Sequence, residues 1–112
     1  MSNSKDSLQP FHLAIPVNDL DSSKNFYHHL LGCKVGRSSD EWIDFNFFGH
    51  QLVCHLSEKS SNEISNSVDF HEIPVPHFGL VLSWSDFKSI TSDLSEKKIE
   101  FLIELTQLNQ QD

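Results

Sequence analysis

Two histidines occupy matching places in this chain. Pro10-Phe11-His12-Leu13-Ala14-Ile15-Pro16-Val17 and Pro74-Val75-Pro76-His77-Phe78-Gly79-Leu80-Val81-Leu82-Ser83-Trp84 each set a histidine at the head of a short apolar strand, behind a proline. Both strands run into an acidic helix start, Asn18-Asp19-Leu20 in the first and Ser85-Asp86-Phe87 in the second. Neutral imidazole is a ligand for Fe, Zn, Ni, Co or Mn, and two histidines with one carboxylate leave coordination positions open for a bidentate oxygen substrate. An ion so held is a Lewis acid that grips adjacent oxygens. A lone strand histidine is more often a hydrogen-bonded structural residue; the pair of matching copies is what points to a ligand.

The elements that must position the pair follow from periodicity. In His12 to Val17, Leu13, Ile15 and Val17 share one face, and His12, Ala14 and Pro16 the other. One bulky face and one face of small residues predict a sheet packed on one side and hollow on the other. Asp19 or Asp21 can cap a helix carrying Leu20, Phe26, Tyr27, Leu30 and Leu31, ended by Gly32. Three strands follow, Cys33 to Ser38, Glu41 to Phe48 and Gln51 to Leu56, with a turn at Gly49-His50. In the middle strand Ile43, Phe45 and Phe47 oppose Trp42, Asp44 and Asn46; in the last, Leu52, Cys54 and Leu56 oppose Gln51, Val53 and His55.

Residues 57–73 are rich in Ser, Asn and Glu, have no hydrophobic period and read as a solvated linker. The second unit opens at His77, with Phe78, Leu80 and Leu82 on its aliphatic face and Gly79 and Val81 beside the histidine. Ser85 or Asp86 caps a helix with Phe87, Ile90 and Leu94, Ile99 to Leu105 is a strand, and a polar tail closes the sequence. The first unit is thus strand-helix-strand-strand-strand, and the second stops two strands short. The boundaries expected are one domain over residues 8–112, made of a first unit (8–57), a linker (58–76) and an incomplete second unit (77–105). The open sheet edge this leaves invites a second copy, so a homodimer is expected.

Composition narrows the function classes. At 112 residues there is room for one modest core. A formal charge of −8 with no basic cluster argues against nucleic acid and anionic membrane as partners. No run approaches the roughly 20 apolar residues of a membrane helix, and the polar Met1 to Ser7 lacks the apolar centre of a signal peptide. A cytoplasmic address is expected, and Cys33 and Cys54 read as reduced core thiols rather than a disulfide framework. His28-His29, His50 and His71 read as helix, turn and loop residues with surface roles.

Read in order, Phe11-His12-Leu13-Ala14, Val17-Asn18-Asp19-Leu20, Phe26-Tyr27, Leu31-Gly32, Trp42-Ile43-Asp44-Phe45, Phe48-Gly49-His50-Gln51-Leu52 and His77-Phe78-Gly79 resemble the vicinal oxygen chelate superfamily of glyoxalase I, bleomycin-resistance proteins and extradiol dioxygenases. The resemblance spans about Pro10 to Leu105. It implies an α+β fold of paired βαβββ units, the second truncated here, whose curved sheets enclose a metal cavity. It implies metal ligands at His12 and His77, with His55 a third where relatives place a carboxylate. The terminal glutamate of dioxygenase-like members is expected to have no counterpart, because the strand that would carry it is missing; Glu100 and Glu104 lie on an earlier strand and do not match it.

The implied cofactor is a divalent metal, Fe(II) or Mn(II) ahead of Zn(II) or Ni(II), and the implied partner a small molecule with vicinal oxygens. Trp42, Asp44 and Asn46 are candidates to face that molecule, although a solvated strand face or core packing accounts for them nearly as well. No residue is singled out as catalytic. An extradiol-like dioxygenase is favoured over a glyoxalase I-like lyase. Against both stands a non-catalytic binder of the bleomycin-resistance kind, and against all three a degenerate remnant without a site.

Overall fold

A computed structural model describes residues 8–58, 64–68 and 71–101 of the chain. It falls into two compact units, Met1–Ser61 and Asn62–Asp112.

The first unit is built as its periodicity dictates. β1 (His12–Val17) alternates exposed and half-buried residues, with His12, Ala14 and Pro16 outward. Asp19 then caps α1 (Leu20–Lys24): its carboxylate accepts the backbone N–H groups of Asp21 at 2.9 Å and Ser22 at 3.3 Å. These bonds, led by that of the Ser22 backbone, favour the charged form and hold the Asp19 carboxyl below its ordinary value. The helix widens into π-helical turns over Asn25–Leu30, where Leu31 N–H reaches back five residues to the Phe26 carbonyl. Gly32, at φ +79°, supplies the left-handed residue that ends it.

β2 (Lys34–Ser38), β3 (Trp42–Phe47) and β4 (His50–Leu56) complete a four-stranded sheet of order β1-β4-β3-β2. β4 is parallel to β1 and antiparallel to β3, and β2 is antiparallel to β3. This is one whole βαβββ unit. The expected turn at Gly49-His50 is instead Phe48-Gly49, with φ of +52° and +92°, and Phe47 pairs directly with His50. Two successive positive φ values are the geometry whose twist matches a two-residue hairpin. The register this fixes makes His50 a strand residue rather than a turn residue.

The core lies on the helix side of the sheet. Phe45, Leu52 and Cys54 are fully buried, with Ile43, Phe47 and Cys33 around them, while the buried Val53 lies on the opposite face, between Ala14 and Asp44. Tyr27 closes this layer, its ring centroid 5.4 Å from that of Phe45 and 6.1 Å from that of Phe47. Each such apolar side chain contributes about 1.5–3 kcal/mol on leaving water. Leu56, expected to share this face, is exposed.

The second unit departs further from expectation. The stretch assigned to a linker over 58–76 contains a hairpin, β5 (Ile64–Val68) with β6 (His71–Val75), paired antiparallel from Ile64 with Val75 to Val68 with His71. His71 therefore opens a strand rather than lying in a loop. Ser65, Asn66 and Ser67 hide the weak alternation, and Pro74 is tolerated because both members of a two-stranded ribbon are edges.

Residues 77–83, expected as a strand, have no regular secondary structure. α2 (Trp84–Glu96) follows, capped not by Ser85 or Asp86 but by Ser83, whose hydroxyl accepts Asp86 N–H at 3.1 Å. Trp84 and Phe87 stack at 5.8 Å and Leu94 is buried. Of the expected strand from Ile99 to Leu105, residues 99–101 are irregular and the rest, like the polar tail and residues 1–7, lies outside the described residues. No helix among the described residues is long and apolar enough to cross a membrane.

Candidate functional site

The face of the first sheet turned away from α1 gathers the polar residues. Because β1 and β4 run parallel and in register, His12 lies beside Gln51, Ala14 beside Val53 and Pro16 beside His55. β3 extends each row, with Asn46 beside Gln51, Asp44 beside Val53 and Trp42 beside His55. Directly paired residues share a face, so one surface carries His12, Gln51, Asp44, Asn46, His55 and Trp42.

At its centre is a short chain of hydrogen bonds. Gln51 Nε2 donates to Asp44 Oδ2 at 3.1 Å, and Gln51 Oε1 lies 2.9 Å from His12 Nδ1. Asp44 is half-buried, and its other oxygen, Oδ1, is buried without a hydrogen-bond partner among the described residues. Gly36 on β2 lies alongside this carboxylate: a Cβ there would come to contact distance, 3.4 Å, from both the Asp44 carbonyl oxygen and Oδ2.

The expected site residues fare differently. His12 is exposed at the start of β1. His55 is exposed on the same face but pairs with Pro16, four positions along β1 from His12, or about 13 Å at the usual strand rise. Side chains that stand perpendicular to a sheet do not converge over that span. Trp42 is half-buried beneath the Arg37 guanidinium, 5.8 Å from the ring centroid. Asn46 accepts Gly49 N–H at 2.8 Å and so braces the Phe48-Gly49 turn. His77 belongs to the second unit and is exposed, at the start of the irregular stretch before α2.

Gln51 is the residue that sequence reasoning passed over. Its strand face was legible, but its place beside His12 depends on a parallel register between strands that are distant in sequence. Among the described residues no cluster of three or more His, Cys, Asp or Glu side chains is placed to hold an ion. The first unit by itself thus offers one exposed imidazole backed by an amide and a carboxylate. A neutral imidazole is a donor of the kind that suits a divalent metal.

The titratable groups of the helix-side core serve packing instead. Cys33 and Cys54 are unpaired and buried, and burial raises both thiols. Tyr27 is pushed up to about 12, chiefly by burial and then by Cys54 and Cys33 beside it. A phenol kept neutral by the fold stabilises it fully below the unfolded value of 10.0, and that contribution is lost as pH rises towards about 12. Stability should therefore fall by on the order of 2 kcal/mol across this window. Chemical denaturation should show the loss in the natural chain and a smaller one in Tyr27→Phe; equal losses would mean that the phenol is not the cause.

Comparison with known proteins adds to this geometry. Residues 9–108 match the family model described as the Glyoxalase/Bleomycin resistance protein/Dioxygenase superfamily. Among solved structures, the chain is similar to a glyoxalase/bleomycin resistance protein/dioxygenase from Alicyclobacillus acidocaldarius, with 35% identity and a TM-score of 0.70 over 88% of this chain and 70% of that one. Its fold is also similar to lactoylglutathione lyase from Agrobacterium tumefaciens, at 17% identity and a TM-score of 0.57 over 86% and 75% of the two chains. An integron cassette protein from the mobile metagenome of V. cholerae shares the fold at 15% identity and a TM-score of 0.56, over 90% and 76%. No curated protein matches the sequence significantly.

Proposed function

Because the chain belongs to the Glyoxalase/Bleomycin resistance protein/Dioxygenase superfamily, we propose that His12 and His77 are ligands of a divalent metal that takes a small molecule with vicinal oxygens. The observation that carries this reading is His12 itself, exposed on the polar face of β1 with its ring engaged by Gln51 through Nδ1. Nε2 is the nitrogen left to bind an ion. His77 supplies the second imidazole from the matching place in the sequence.

The metal, Fe(II) or Mn(II) ahead of Zn(II) or Ni(II), supplies Lewis acidity to adjacent substrate oxygens. This chain's own residues bind and orient. Ala14 and Gly79 keep the surroundings of the two histidines small, Trp42 offers an aromatic wall, and the Asp44–Gln51 pair steadies His12. His55, by its register, stands apart from His12 and is read as a residue at the far end of the same face.

An extradiol-like ring cleavage is the favoured reaction. The absence of a three-residue ligand cluster among the described residues is what keeps a second reading, metal-assisted sequestration of a small molecule without turnover. A catechol incubated in air with the Fe(II)-loaded chain, dioxygen being the oxidant, decides between them: ring-opened product supports the enzyme, and saturable binding without product supports the binder. The two unpaired, buried cysteines suit a reducing cytoplasm. The working form is a homodimer, which sedimentation showing only monomer at high concentration would rule out.

A further inference from the structure

The hydrogen bonds around His12 carry information about its proton. A carboxylate oxygen accepts, so the Gln51 amide nitrogen must face Asp44, as it does at 3.1 Å. Fixing the amide nitrogen there fixes the carbonyl oxygen at the other end, which faces His12 Nδ1 at 2.9 Å. A carbonyl oxygen also only accepts, so Nδ1 must donate.

We propose that Asp44, acting through Gln51, is a positioning residue that holds His12 with its proton on Nδ1 and its lone pair on Nε2. The use of that lone pair as a metal ligand rests on the function proposed above; the tautomer itself does not. Turning the amide over would set two acceptors against each other at Asp44, and Asp44 Oδ1 has no other partner among the described residues to draw the carboxylate away. Second partners of this kind fix the ring orientation and basicity of ligating histidines in metal sites generally.

Two other histidines provide internal standards. His28 Nδ1 lies 2.7 Å from the Cys33 carbonyl oxygen and must donate. His50 Nδ1 accepts Phe11 N–H at 3.0 Å, so its proton is on Nε2. The test is long-range proton–nitrogen NMR of the metal-free, full 112-residue chain with labelled histidine, at alkaline pH where imidazoles are neutral. His12 should show the His28 pattern and the reverse of His50.

In Gln51→Leu and in Asp44→Ala, the ratio of Nδ1–H to Nε2–H at His12 should fall by up to about tenfold, the weight of one net hydrogen bond. His28 and His50 should stay unchanged, showing that the fold survives. Gln51→Glu combined with Asp44→Asn should restore the Nδ1–H form, because the new amide donates to the new carboxylate and that carboxylate accepts from His12. An Nε2–H pattern for His12 in the natural chain, or a ratio that neither single variant moves, would overturn the assignment. A natural chain that shows the Nδ1–H form at His12 but binds no Mn(II) or Fe(II) would count against the proposed function alone.

Discussion

Phe45→Ala should cost the first unit about 3–5 kcal/mol, the usual loss when a fully buried phenylalanine is cut back in a core that cannot collapse. Phe45 is 1% exposed on β3, paired with Val35 on one side and Leu52 on the other, and roofed by Tyr27. Its neighbours on both strands are fixed by ladder hydrogen bonds, so the cavity would stay open. Small domains are stable by only about 5–15 kcal/mol, so much of the chain should lose its cooperative unfolding transition. Leu8→Ala, at a residue 93% exposed, should stay within about 0.5 kcal/mol of the natural chain. Urea titration followed by circular dichroism measures both. A Phe45→Ala midpoint close to that of Leu8→Ala would mean that the core has been misplaced.

His12→Ala and His77→Ala should each weaken Mn(II) or Fe(II) binding by more than about a hundredfold, since loss of a mere outer partner of a ligand costs about 10–100-fold. Neither change removes buried apolar area, because both residues are exposed, and unfolding midpoints should hardly move. His55→Ala should change affinity by only a few-fold, given its distance along β1 from His12. Competition against a coloured chelator gives all the constants. Equal affinities for His12→Ala and the natural chain would place the ion elsewhere.

The first unit was legible because its signals are local. The alternation of Trp42 to Phe47 set Phe45 and Asp44 on opposite faces, and the helix start was narrowed to Asp19 or Asp21, of which Asp19 is the cap. The Phe48-Gly49 turn was misread by one residue because a phenylalanine at φ +52° runs against its own preference, and only the strand register demands it. The β5–β6 hairpin was hidden because Ser and Asn fill positions where a strand signal would need apolar residues. At the site, each strand face could be read from the sequence, but the pairing of His12 with Gln51 could not. It arises where two strands far apart in sequence meet in parallel, and no local pattern encodes that register.

The most direct test of the proposal that His12 and His77 bind one ion uses paramagnetic broadening. Mn(II) added in small sub-stoichiometric steps to the histidine-labelled chain should broaden the imidazole signals of His12 and His77 together and first, with His28, His29 and His50 spared until later. Broadening of His12 without His77, or of the His28-His29 pair before either, would contradict a common metal site.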